Sequence, residues 1–152
     1  MTRTLSPLRR IARAVCVALP CALLLAAAPA ARADDSLYQT FGGQPGLTKI
    51  IDDFYDLLLK DPRTLPYFDG APIKRIKQKL GEQLCELMGG PCTYTGRPMK
   101  RTHEGQNIDR AAFNALVEDL QTAMDRNGVP FRAQNKLLAK LAPMYRDIQD
   151  RE

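Results

Sequence analysis

The chain has 152 residues, a formal net charge of +5, four cysteines and one histidine, His103. A single histidine excludes a zinc site built from several imidazoles. The surplus charge is local: residues 1–33 hold five of the 22 basic side chains and no acid, leaving 17 basic against 17 acidic in the 119 residues that follow. That remainder is enough for one compact domain and not for two, and it lacks the electrostatic footprint of a nucleic-acid-binding protein.

Residues 1–33 read as an export signal, to be set aside before fold reasoning. Arg3, Arg9, Arg10 and Arg13 form a positive start, and Val15 to Ala28 is an apolar run rich in Leu and Ala. Ala31-Arg32-Ala33 is a small-x-small cleavage site before Asp34. The apolar run is shorter than the roughly 20 residues that span a bilayer; an uncleaved N-terminal anchor is the alternative. The expectation is a signal peptide over 1–33 and one domain over 34–152, periplasmic or secreted. Cys16 and Cys21 leave with the signal, while Cys85 and Cys92 stay. Two cysteines in an exported domain favour a disulfide, with two unpaired buried thiols as the alternative. Closing so short a loop stabilises by roughly 2–3 kcal/mol on the chain-entropy view. The six-residue gap is unlike the CxxC spacing of redox switches.

From there the pattern is helical throughout. Leu47, Ile50, Ile51, Phe54, Tyr55 and Leu58 recur at i, i+3, i+4, i+7, i+8 and i+11, one apolar stripe of a helix. Asp61-Pro62 stops it, because a residue before proline avoids helical geometry. Ile73, Ile76, Leu80, Leu84 and Leu87 form a second stripe, opened by Pro72 and closed at Gly89-Gly90, with Lys74, Arg75, Lys77 and Lys79 expected on a solvated face. A third helix takes Asp109 as N-cap, carries Phe113, Leu116, Val117, Leu120 and Met124, and ends at Asn127-Gly128. The last carries Leu137, Leu138, Leu141, Tyr145 and Ile148, and Pro143 must bend it. No segment alternates with period two for the length of a strand. The class is all-α: four main helices and a short one bearing His103.

That short helix follows a glycine-rich loop, Gly89 to Gly96, and opens at Pro98, a residue suited to a first turn. Met99 and His103 are four apart and share a face. A histidine presented this way is placed to face a bulky flat ligand, and one imidazole is enough to hold a haem iron. Taken alone, it reads equally as a surface histidine.

The wider pattern is more specific. Leu37-Tyr38-x-x-Phe41-Gly42-Gly43, Asp53-Phe54-Tyr55, Tyr67-Phe68, Gly89-Gly90-Pro91, Tyr94-Thr95-Gly96-Arg97-Pro98-Met99-Lys100 and His103-x-Gly105 follow one another in order. From about Leu37 to Ile148 the chain resembles the group I truncated haemoglobins. The resemblance implies a two-over-two helical sandwich around one haem b, with His103 as proximal iron ligand and Phe68 packed against the haem at a corner between helices. It also implies that Tyr55 is the distal tyrosine, donating a hydrogen bond to a bound diatomic; Met99 and Ile76 complete the cofactor's surroundings. Without the resemblance, Tyr55 reads as a core aromatic. No Cys-x-x-Cys-His is present, so covalent c-type attachment is not expected.

Two positions depart from the commoner family pattern. Leu80 stands where many members place a glutamine, so a second distal donor is absent, and Gln83 is expected to point elsewhere. Leu84 falls near the apolar ligand tunnel of some members. Lys79 matches a position that supplies a sixth iron ligand in some relatives, which requires a neutral amine. The alternative is a lysine that reaches a haem propionate or water. The resemblance implies a monomer or weak dimer that binds O2, NO or another diatomic at ferrous iron. The alternative is redox turnover, NO dioxygenation or a peroxidase-like reaction, which needs an external electron donor because the chain is too short for a flavin or nicotinamide domain.

Overall fold

Residues 35–149 are described by the structure, a computed structural model, and every regular element among them is helical. The elements are α1 (Asp35–Thr40), α2 (Gly43–Leu58), α3 (Ile73–Leu87), α4 (Met99–His103), α5 (Arg110–Arg126), α6 (Phe131–Leu141) and α7 (Tyr145–Ile148). Turns of 3-10 helix occupy Leu65–Tyr67 and Ala142–Met144. The expected leader, residues 1–33, lies outside the described residues.

Helix α2 is the spine. Its stripe is the predicted one, with Leu47, Ile50, Ile51, Phe54, Tyr55 and Leu58 all buried against α5 and α3. Short α1, which periodicity missed, adds Leu37 and Tyr38 to the same core, and Phe41 just after it does the same. The chain doubles back tightly between the two: a Cβ on Gly46 would lie 2.2 Å from the Phe41 carbonyl oxygen, so only glycine fits. Helix α2 stops at Leu58, before Asp61-Pro62 is reached. Thr64, 1% exposed, closes this end by donating its hydroxyl to the Leu58 carbonyl at 2.8 Å. That bond satisfies an orphan carbonyl of the last turn and fixes the corner leading to Phe68.

Helix α3 starts after Pro72 as predicted, but its buried face drifts. Leu84, Cys85 and Met88 are fully buried, whereas Ile73, Ile76 and Leu80 are only partly so. The expected Leu87 is replaced in the core by Met88. Cys85 is bonded to Cys92 with a Cα–Cα distance of 5.8 Å, as the export reading anticipated. Gly90 makes room for the bridge, since a Cβ there would sit 2.6 Å from the Cys85 sulfur and 2.9 Å from the Tyr38 ring.

The Asp109 side chain accepts from the Ala112 amide at 2.7 Å, the N-cap that opens α5, and Asn127 caps its other end. Asn127 then donates to Asp53 at 2.6 Å, tying the end of α5 to α2. Pro143 does more than bend the last helix: it ends α6 at Leu141, and α7 restarts after a 3-10 turn. Tyr145 of α7 packs edge-on to Phe113 of α5, centroids 4.7 Å apart, and α7 also lies against α4. Helices α2 and α3 thus layer over α5 and α6. Where the half-buried start of α3 faces α4, protein does not fill the space between the layers.

Candidate functional site

The unfilled space is a cavity of about 420 Å³, within the range of cofactor sites. All seven residues singled out from the sequence line it: Tyr55, Phe68, Ile76, Lys79, Leu80, Met99 and His103. This explains the partial burial of Ile76 and Leu80, whose apolar side chains face the cavity. The wall also includes Phe113, Leu116 and Val117 of α5, and Leu138 and Leu141 of α6. The sequence showed these residues as apolar stripes. Periodicity marks a buried face without saying whether protein or a ligand covers it.

His103 ends α4 with its ring on the cavity. Its Nδ1 lies 2.9 Å from the Met99 carbonyl oxygen, one helical turn back. A carbonyl can only accept, so Nδ1 carries a proton, and in the neutral ring the lone pair is then on Nε2. That is the tautomer a metal-ligating histidine needs, with the backbone fixing the ring's orientation.

Tyr55 is 3% exposed and lines the same cavity. Its ring packs edge-on against Phe54 and Phe68, each centroid 5.7 Å away, and the Lys77 ammonium sits 5.5 Å above it. Among the described residues its hydroxyl has no hydrogen-bond partner. Tyr55 lines the cavity, so this hydroxyl fits a donor completed by a ligand there. Burial pushes the phenol well above its ordinary range, keeping the proton in place to be donated.

Lys79 has protein partners at the cavity edge. Its ammonium donates to both carboxylate oxygens of Glu82, at 2.9 and 2.8 Å, and to the Thr95 hydroxyl at 2.5 Å. The nitrogen is therefore engaged by protein at the cavity edge. Nor is the basic face of α3 simply solvated, because Lys77 pairs with Asp52 at 2.9 Å. Gln83 does not point elsewhere: it lines the cavity, with Nε2 3.4 Å from the Met99 sulfur and 3.5 Å from the Met144 sulfur. Counting i, i+3, i+4, i+7, i+8 from Ile76 gives Lys79, Leu80, Gln83 and Leu84, so Gln83 belongs to that face by helical geometry.

The arrangement fits a haem. It has mostly apolar walls, one imidazole with a free Nε2, one unpaired phenol and no second donor at Leu80.

Comparison with known proteins agrees. A family model described as bacterial-like globin matches residues 36–150. The chain is 33% identical over 113 residues to a group 1 truncated hemoglobin of Mycolicibacterium paratuberculosis, covering 74% of this chain and 83% of that protein. It is 32% identical to another from Nostoc commune, over 62% of this chain and 80% of that one. Among solved structures, the truncated hemoglobin of Tetrahymena pyriformis in its Fe(III) form superposes with a TM-score of 0.72 at 24% identity, covering 76% of this chain and 98% of that one. The chain belongs to the bacterial-like globin family and, within it, to the group 1 truncated haemoglobins, whose cofactor is haem.

Proposed function

We propose that this protein binds O2, and other small diatomics such as NO, reversibly at the ferrous iron of one haem b per chain. The observation that carries the reading is the pairing, on one apolar cavity, of the His103 ring, its Nδ1 held by the Met99 carbonyl, and the Tyr55 hydroxyl, which bonds to no protein group among the described residues. The haem supplies the iron on which a diatomic binds. His103 holds that iron through Nε2, with the Met99 carbonyl keeping the ring in register. Tyr55 would donate a hydrogen bond to the partial negative charge of a bound diatomic. Phe68, Ile76 and Leu80 exclude water that would compete for this hydrogen bond. With leucine at position 80, that position adds no second donor beside Tyr55, which suits a ligand that must be released.

We further propose that the domain works outside the cytoplasm. The pattern of residues 1–33 supports this, and so does the Cys85–Cys92 bridge, a bond that persists in oxidising compartments. Mixing the ferrous, oxygenated protein with NO tests binding against turnover. A single stoichiometric burst of nitrate fits a binding protein. Repeated turnover with an external electron donor would make it an NO dioxygenase instead, and no O2 spectrum at all would refute the proposal.

A further inference from the structure

The cavity edge holds one polar assembly that ligand binding does not explain. Lys79 shares the wall with Leu80 and Tyr55, and a primary amine with a free lone pair is a competent ligand for haem iron. An ammonium has three N–H donors and no lone pair. Here the donors have three acceptors: Glu82 Oε1, Glu82 Oε2 and Thr95 Oγ1.

We propose that Glu82 is a positioning residue which, with Thr95, withholds the Lys79 nitrogen from the haem iron. The inference rests on the haem reading above. Glu82 is itself held from two sides. Gln78, one turn back on α3, donates to Oε1 at 3.1 Å. From the loop before α4, the Thr95 amide and hydroxyl donate to Oε2 at 3.2 and 2.8 Å. The Lys79 ammonium first, then the Thr95 and Gln78 donors, hold the carboxyl at about 2, well below the usual carboxylate range, so it is anionic at neutral pH.

The pair is also unlike the other ion pairs among the described residues. Lys79 and Glu82 are 27% and 22% exposed, whereas each of the others has at least one partner more than half exposed. Solvent screening therefore weakens this pair least. Helix stabilisation does not account for it, since lysine ahead of glutamate is the poorer order along a helix. Its third member, Thr95, lies 16 residues from Lys79, so the assembly is built by the tertiary fold.

The test compares the full-length protein with E82Q, T95V, K79A and E82Q/K79A, each loaded with haem b. The readouts are the ferrous, ligand-free absorption spectrum and the CO association rate. The protein itself is expected to be five-coordinate. E82Q is expected to become six-coordinate and low-spin, with CO association slowed at least tenfold because an internal amine must leave first. T95V is expected to shift partway in the same direction, and it serves if E82Q does not fold. E82Q/K79A is expected to return to five-coordination and the parent rate. Two outcomes would overturn the proposal: E82Q and T95V spectra and rates within twofold of the parent, or a parent protein already six-coordinate and made five-coordinate by K79A. Absence of a Soret band in all five proteins would instead overturn the haem reading, and this inference with it.

Discussion

Replacing Tyr55 with phenylalanine removes one oxygen atom from a side chain that is 3% exposed and lines the cavity. Two consequences follow, with opposite signs. Among the described residues the hydroxyl bonds to no protein group, so folding of the haem-free protein loses nothing, and the edge-on contacts to Phe54 and Phe68 remain. The residue lines the cavity, where water can take up the hydroxyl's bonds, so at most a small part of the penalty for an unpaired polar group is relieved. Y55F is therefore expected to be as stable as the parent or up to about 1 kcal/mol more stable. Ligand retention moves the other way. A hydrogen bond to a charged or strongly polarised acceptor contributes about 1.5–3 kcal/mol, which corresponds to a roughly 10- to 100-fold faster O2 dissociation. Stopped-flow measurement of O2 release and thermal melting of the haem-free protein read the two effects separately. O2 release within twofold of the parent would refute the role of Tyr55. A loss of more than about 1 kcal/mol in Y55F would show that its hydroxyl is structural.

Removing the Cys85–Cys92 bridge in a double alanine variant is expected to cost about 2–3 kcal/mol in denaturant unfolding, and the unreduced parent should show no free thiol at either position. Asp119 is 8% exposed with an unpartnered Oδ2, and burial raises its carboxyl above the ordinary range. A raised folded-state value means that native stability falls as pH rises from the ordinary carboxylate range through the raised one. D119N should therefore gain on the order of 1 kcal/mol at pH 7, with the gain fading below about pH 4, in melts run across that range. Export with cleavage before Asp34 predicts an intact mass for the exported protein that begins at Asp34; the uncleaved mass would favour an N-terminal anchor.

Much of this architecture is legible in the sequence where local rules decide it. The α2 stripe, the Asp109 cap and the stop at Asn127-Gly128 each depend on residues within a turn or two of one another. Helix α1 escaped because six residues are too few to show a period, though Leu37, Tyr38 and Phe41 all enter the core. Thr64 escaped because one hydroxyl closing onto the Leu58 carbonyl leaves no pattern. The site divides the same way. His103, Tyr55 and Phe68 came from spaced motifs, and the structure brings them to one cavity. The α5 and α6 walls looked like ordinary core, since an apolar stripe reads alike against protein or porphyrin. The Lys79–Glu82 spacing was visible, but Thr95 reaches it only through the folded loop.

The proposed function depends on His103 holding the iron. Titrating haem b into the protein and into H103G, with and without added imidazole, tests this. The parent should give a Soret band saturating at one haem per chain. H103G should lose that spectrum and recover it when imidazole fills the vacated position. An H103G spectrum indistinguishable from the parent's, with no response to imidazole, would contradict the assignment.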